Sequence, residues 1–339
     1  VKLPSSKRFQ RTSALVAIAF CATIVLAPGS SALSKATTTA TKIKIAFVSG
    51  PLNDPFFPPL IRGAQDAAKL LRAQLNYIPI DEGDFQASSA KTMQAAIAMK
   101  PDVIVVGDFL TSVVDPLIKQ AIAAGIPVFV NQSGQDSWEA VGALGFIGQT
   151  GPDVGVTSAK EFLAAGKKDI LCINNVAGNP YLDAACKGLA DGMAAGGGTA
   201  KMITLPSGDG TDLTKSTADI GGYLNTNKGV DGIMTLNNLT ALAAVAALKP
   251  LNKIGKVAVS TLGLSKQALA DVKAGNMLFA INEQPYLDGY LGVLFAYNYV
   301  KYGLAPIGFV KTGPQVINKA NVAKITSVLL KYPNVIGPK

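Results

Sequence analysis

Short apolar runs recur along this chain at near-regular intervals, and most gaps between them carry apolar residues at helical spacing. The runs are IKIAFVS (43–49), LNYIPI (75–80), VIVVG (103–107), PVFVN (127–131), GFIGQ (145–149), DILCINN (169–175), AKMITL (200–205), GIMTLN (232–237), KVAVST (256–261) and MLFAIN (277–282). Stretches such as PPLIRGAQDAAKLLRAQ (58–74) and SVVDPLIKQAIAAG (112–125) read as helices between them. Strand and helix in strict alternation build parallel sheets, because a parallel neighbour needs a crossover of about a dozen residues or more. Two series of about five strands, divided near Gly148 to Gly151, predict an α/β chain of two doubly wound, Rossmann-like lobes. At 339 residues, 49% of them hydrophobic and 16% charged, the chain can fill two such cores.

The first residues do not belong to this rhythm. Basic residues Lys2, Lys7, Arg8 and Arg11 precede an apolar run from Ala14 to Ala27 and the small residues Ser30, Ser31 and Ala32. That order predicts a secretory signal peptide over 1–32, followed by a polar, disordered tether over 33–41. The run is shorter than the ~20 residues that span a bilayer. Phe20 is too bulky to precede a lipidated Cys21. A secreted chain is expected, in the periplasm or at the cell surface of a bacterium.

The formal charge of +9 owes nearly half of its excess to those four leader residues, and the remainder is spread thinly. With no dense basic run interleaved with aromatics, a nucleic-acid partner is not expected. Histidine is absent, which removes Ser-His-Asp and Cys-His nucleophile systems and imidazole metal sites. Neither GDGTDLTKS (208–216) nor GPDVG (151–155) has the spacing of a phosphate loop or a dinucleotide fingerprint, and both read as loops. Asp81, Glu82 and Asp84 read as a solvated acidic turn, and no serine stands in a GxSxG elbow. No enzyme and no cofactor is expected. Cys172, in an apolar strand, and Cys186, in a helix, read as two small buried side chains, with a disulfide as the lesser alternative.

LNDPFF (52–57) places two rings at the exit of the first strand. They either cap the core or form a stacking surface at the carboxyl end of the sheet, where open α/β sheets bind ligands.

KIKIAFVSGPLNDPFFPPLIRGAQDAAKLL resembles the amino-terminal unit of the ribose- and galactose-type periplasmic sugar-binding proteins of ABC importers. The likeness runs on through PDVIVVGDFLTSVVDPLIKQAIAAGIPVFVNQ, GIMTLNNLTALAAVAALK, FAINEQPYLDGYLGVLFAYNYVKYG and KTGPQVINKANV, covering nearly everything after Thr41. It implies the type I periplasmic binding fold, with a three-crossing hinge near 147–150, 283–285 and 309–313. The N-terminal lobe would comprise 42–147 with 285–310, and the C-terminal lobe 149–283 with 311–339.

By the same resemblance the ligand is a small carbohydrate or sugar alcohol held in the cleft, one or both of Phe56 and Phe57 lie against its apolar face, and Asp54 and Ser49 bind nearby. Asn131 and Gln132 stand where relatives often carry an acid and an arginine, Asn237 matches a hydroxyl-binding asparagine, and Glu283 replaces a usual glutamine. Two departures weaken the charged contacts: Ala185 occupies the place of a ligand-binding arginine and Leu262 that of an aspartate. Asp183 or Lys187 are the candidates to substitute. Trp138 reads as packing or a surface loop, and Tyr181 and Tyr286 as weaker cleft candidates. The expected role is a monomeric solute-binding protein that closes on its ligand and hands it to an ABC transporter permease. A periplasmic sensor that presents the ligand to a chemoreceptor or histidine kinase is the alternative.

Overall fold

The computed structural model describes residues 41–335 other than 53, 55, 82, 83 and 207. The expected leader, all but the last residue of the tether, and Glu82 lie outside the described residues.

The first sheet is built by β1 (Lys44–Ser49), α1 (Phe57–Leu71), β2 (Gln74–Pro79), α2 (Phe85–Ala98), β3 (Val103–Val106), α3 (Thr111–Ala123), β4 (Val128–Asn131) and β5 (Phe146–Gly148). The second follows with α4 (Gly151–Ala164), β6 (Asp169–Asn174), α5 (Pro180–Ala195), β7 (Thr199–Thr204), α6 (Leu213–Thr226), β8 (Gly232–Thr235), α7 (Asn238–Leu248), β9 (Ala258–Leu262), α8 (Lys266–Ala274) and β10 (Phe279–Asn282). Then α9 (Pro285–Tyr302) packs on α1, β11 (Phe309–Lys311) joins the first sheet, β12 (Gln315–Asn318) joins the second, and α10 (Val322–Lys331) follows. The strand orders are β11-β5-β4-β3-β1-β2 and β12-β10-β9-β8-β6-β7. Every neighbour pair is parallel except β10 with β12, so the expected α/β class of two doubly wound lobes holds, with one antiparallel edge.

Helices cover both faces of each sheet, which is why the central strands read as unbroken apolar runs rather than alternating ones. β3 and β4 are buried at every residue, while the edge strands β2 and β7 are not. In each sheet the order reverses beside the first strand, β1 next to β3 and β6 next to β8. Ligands of open α/β sheets bind in the crevice at such a reversal.

Four readings of the sequence need correction. GPDVG is the first turn of α4: Thr150 Oγ1 accepts the Asp153 N–H at 3.1 Å, and Pro152 fits a first turn whose N–H groups have no helical partner. GDGTDLTKS holds a short 3₁₀ turn at Asp209–Thr211 and the start of α6, capped by Asp212. β11 and β12 were not expected as strands.

Finally, Cys172 and Cys186 are joined in a disulfide. Both are buried, as expected. Their side chains belong to one cluster between β6 and α5, and with Cα atoms 5.6 Å apart they meet across it. The acidic turn behaves as read where it is described: Asp81 and Asp84 are exposed, and Asp84 caps α2 by accepting the Ala87 N–H at 3.1 Å. Trp138 packs half-buried against the first lobe's core.

Candidate functional site

Most candidate residues stand at or just beyond the carboxyl end of a strand, where the chain turns out of the sheet, while Asp183 lies in the first turn of α5. At the end of β1 the fully buried Ser49 donates to Gln132 Oε1 at 2.7 Å. Gln132 follows β4 in left-handed backbone (φ 67°), a conformation that costs a non-glycine residue energy and aims its side chain back across the sheet end toward Ser49. The amide's other atom, Nε2, is buried without a protein partner. Asn131, one residue earlier, is fully buried. Its Nδ2 donates to the Asp288 carbonyl at 3.1 Å, so the end of β4 is tied to the first turn of α9.

The LNDPFF turn is pinned from both sides. Tyr77 Oη donates to the Gly50 carbonyl at 2.8 Å, and Asp54 Oδ1 accepts the Phe56 N–H at 2.8 Å, which organises the start of α1. The two rings then differ. Phe57 is 6% exposed and lies over Gly50 so closely that a side-chain carbon there would collide with it; its edge also meets Phe109, centroids 6.1 Å apart. Phe56, 5.1 Å from Phe57 in an edge-to-face pair, is only half-buried. Phe57 is packed into the loop, and Phe56, which also packs against the first lobe's core, is the more exposed of the two rings.

At the second lobe's edge, Tyr181 Oη donates to Glu283 Oε1 at 3.0 Å and accepts from Gln149 Nε2 at 2.6 Å. Tyr181 is placed by the helix start: Asn179 Oδ1 accepts the N–H groups of Tyr181 and Leu182. Gln149 lies where the chain first passes from one sheet to the other, and Glu283 where it passes back. The third passage joins them, because the Thr312 N–H donates to the Gly148 carbonyl at 2.8 Å and Gln284 Nε2 donates to the Thr312 carbonyl. Burial pushes the Glu283 carboxyl up to about 7, the bonds from Tyr181 and Gln149 pull it back, and the nearby charge of Asp54 adds to the rise. Burial likewise holds the Asp288 carboxyl well above the ordinary range.

The remaining candidates are engaged locally. Asp183 accepts from Asn174 Nδ2 at 2.7 Å. Asn237 caps α7, its Oδ1 accepting the Thr240 N–H at 2.7 Å, and its Nδ2 reaches the Gly210 carbonyl at 3.3 Å. Lys187 is exposed and paired with Asp191 at 2.6 Å, so it does not take the place of the arginine absent at Ala185. Ala185 is fully buried against α4, and Leu262 is buried in the second lobe's core. Tyr286 donates to Asp66 on α1 and serves the α1–α9 contact. Sequence reasoning missed Gln149, Asp288 and Thr312. Gln149 ends an apolar run, which was the available signal; Asp288 and Thr312 matter only through the passages between sheets.

A titration follows from Glu283. A carboxyl whose folded value lies above its unfolded one stabilises the fold in acid and loses that contribution as pH rises through about 7. Glu283→Gln should therefore melt no higher than wild type near pH ~5 and above it near pH ~8, and the loss of the Glu283 charge, which helps to raise Asp288, adds to the gain at the higher pH. Thermal melts of the ligand-free proteins at both pH values check this, and the reverse order would contradict the burial argument.

A model of the periplasmic binding protein domain matches residues 45–304. The xylose/arabinose-binding protein XylF of Sulfolobus acidocaldarius is 23% identical over 296 residues, 82% of this chain and 72% of its own. A carbohydrate transporter from Acidothermus cellulolyticus, solved in complex with myo-inositol, aligns with a TM-score of 0.77 at 28% identity, covering 86% of this chain and 99% of that one. An ABC transporter solute-binding protein from Agrobacterium vitis, bound with alpha-D-tagatopyranose, aligns at 0.74 and 25% identity over 83% and 96% of the two chains. These relatives are binding and transport proteins rather than enzymes, and the family is extracytoplasmic. Among the described residues no helix is long and apolar enough to cross a membrane. Since the domain match spans most of the chain and the sheets repeat its architecture, the chain belongs to the periplasmic binding protein family, in the type I fold of its sugar-binding members.

Proposed function

We propose that this chain captures a small carbohydrate or sugar alcohol between its two lobes and delivers it to the permease of an ABC importer. The observation that carries the reading is the gathering of buried carboxamide and carboxyl side chains at the strand ends of both sheets, joined through Gln149, Tyr181 and Glu283 at the passages between them. Short polar groups facing a crevice suit hydroxyls, and water leaving a closing cleft strengthens each bond. The lobes are 42–147 with 285–310 and 149–283 with 311–339, and the crossings act as the hinge. Ser49, Asp54, Phe56, Asn131, Gln132, Asp183, Asn237 and Glu283 form the ligand shell, and Phe57 supports it from behind. The protein works as a monomer without a cofactor.

A thermal-shift screen of pentoses, hexoses, deoxy sugars and polyols tests the ligand class, because a ligand that binds only the folded state raises the melting temperature. Small-angle scattering with the best hit should show a smaller radius of gyration than without it. Stabilisation with an unchanged radius would refute hinge closure, and a screen with no hit would refute the carbohydrate reading.

A further inference from the structure

We propose that Asp108 is a positioning residue of the ligand site and works through one proton shared with Asp115, so that capture weakens when this proton is lost. This rests on the reading that Gln132 and the LNDPFF turn form one wall of a carbohydrate cleft.

Asp108 follows β3 and is fully buried. The loop it begins touches the proposed ligand shell on two sides. A side-chain carbon at Gly107 would stand 3.2 Å from Gln132 Oε1, the atom that accepts from Ser49, and the ring of Phe109 meets Phe57 edge-on. Asp108 then ties this loop to the segment that follows Gln132. Its N–H donates to the Ser133 carbonyl at 3.3 Å, and its Oδ2 accepts from Ser137 Oγ at 3.1 Å. Gly134 leaves the space for its side chain, since a carbon there would fall 2.8 Å from Asp108 Cβ. Gln132 stands in left-handed backbone one residue ahead of this segment, so what fixes Ser133 and Ser137 helps to hold that costly conformation.

The other oxygen of Asp108 has no such partner. Asp108 Oδ1 is buried without a protein donor, and so is Oδ1 of Asp115, in the second turn of α3. The two carboxyls lie within hydrogen-bonding reach of each other. Two carboxylates so placed and withdrawn from water cannot both keep their charge. A proton on Asp108 Oδ1, donated to Asp115, supplies the missing donor and removes the repulsion together. Burial is the main cause that pushes the Asp108 carboxyl up to about 8; Asp115 adds to the rise and the bond from Ser137 pulls against it. No cation of the described residues relieves the pair. Lys91 on α2 and Lys119 on α3 are exposed and in no ion pair, while Asp136 and Glu139 on the facing loop are exposed and bring only negative charge. Once the proton is gone, two like charges face each other behind Gln132 and push the segment out of the geometry that receives a sugar.

Trp138, the only tryptophan, adjoins Ser137, and its backbone N–H donates to the Gly134 carbonyl at 3.1 Å, so its fluorescence reports on this segment. In the ligand-free wild type that fluorescence should titrate with a midpoint near about 8. In Asp108→Asn and in Asp115→Asn it should stay flat, because either amide donates where the proton did. Calorimetry at pH ~6.5 and ~9.5 then uses as probe the tightest-binding sugar or polyol of the thermal-shift screen. Wild type should bind it about five- to tenfold more weakly at the higher pH, the change expected when binding favours the protonated pair by about one pKa unit. Both amide variants should bind equally at the two pH values, and as tightly as wild type at the lower one. Glu283 is present in all three proteins, so a fall that persists in both variants belongs to another group and overturns the proposal. A wild-type affinity that does not fall overturns it too. So does a wild-type melting temperature raised by calcium chloride at the higher pH but not in the variants, which would put a cation in place of the proton. In each of these cases the carbohydrate reading stands. If no sugar or polyol binds, that reading falls and the positioning role falls with it.

Discussion

Phe56→Ala should leave the ligand-free protein folded and weaken binding of the ligand found by the screen by about 2–4 kcal/mol, roughly 30- to 1000-fold. Phe57→Ala should do something else, lowering stability by about 3–5 kcal/mol, the usual cost of emptying a buried phenylalanine site. The two rings are neighbours in sequence but not in environment. Phe57 fills the space above Gly50 and meets Phe109 edge-on, so its removal opens a cavity under the loop. Phe56 is the more exposed ring of the pair, at the start of α1 just beyond the end of β1, where an aromatic ring can cover the C–H face of a sugar. Titration calorimetry and apo-state melting on both variants separate the roles. Wild-type affinity in Phe56→Ala would show that LNDPFF is packing throughout and that the ligand lies elsewhere.

Replacing Cys172 and Cys186 together by alanine should lower stability by about 3 kcal/mol, the loop-closure estimate for a bridge that spans about 15 residues. Alanine suits both positions because the sites are buried and apolar, so the loss measures the cross-link more than the packing. Denaturant titrations with and without reductant give the control: reduced wild type should approach the double variant, and the variant should not respond. Equal midpoints for the two proteins under non-reducing conditions would mean that the bridge contributes nothing to stability.

What could be read in the sequence was what repeats. β1, β3, β4 and β6 announce themselves because strands buried on both faces need continuous apolar runs. β11 and β12, three and four residues long, carry too short a pattern to stand out, and it is their neighbours that make them strands. α4 was hidden by the glycines of its first turn: Gly151 and Gly155 are there so that α5 can approach, since a side-chain carbon at Gly155 would fall 2.2 Å from the Ala185 carbonyl oxygen. The cysteines posed a similar difficulty. Spacing along a strand and along a helix says that each side chain is buried, but only the packing of β6 against α5 decides that they face each other.

The candidate site was partly legible. The resemblance to the ribose- and galactose-type sugar-binding proteins picked out Ser49, Asn131, Asn237 and Glu283, and each stands at or just beyond the carboxyl end of a strand. The partner of such a residue is set by distant chain, as the pairing of Ser49 with Gln132 shows, 83 residues away.

The chain closes both sheets with its last strands. β5 and β10 each wait for a neighbour that comes from residues 309–318, after every other strand of the two sheets has been made. A nascent chain lacking that segment carries two open sheet edges at once, each a template for pairing with another copy. Neither lobe can be cut out as a continuous fragment with its sheet complete, and any truncation ahead of Phe309 should yield an aggregating species rather than a smaller binding protein. During synthesis both edges therefore stay open until the final thirty or so residues arrive.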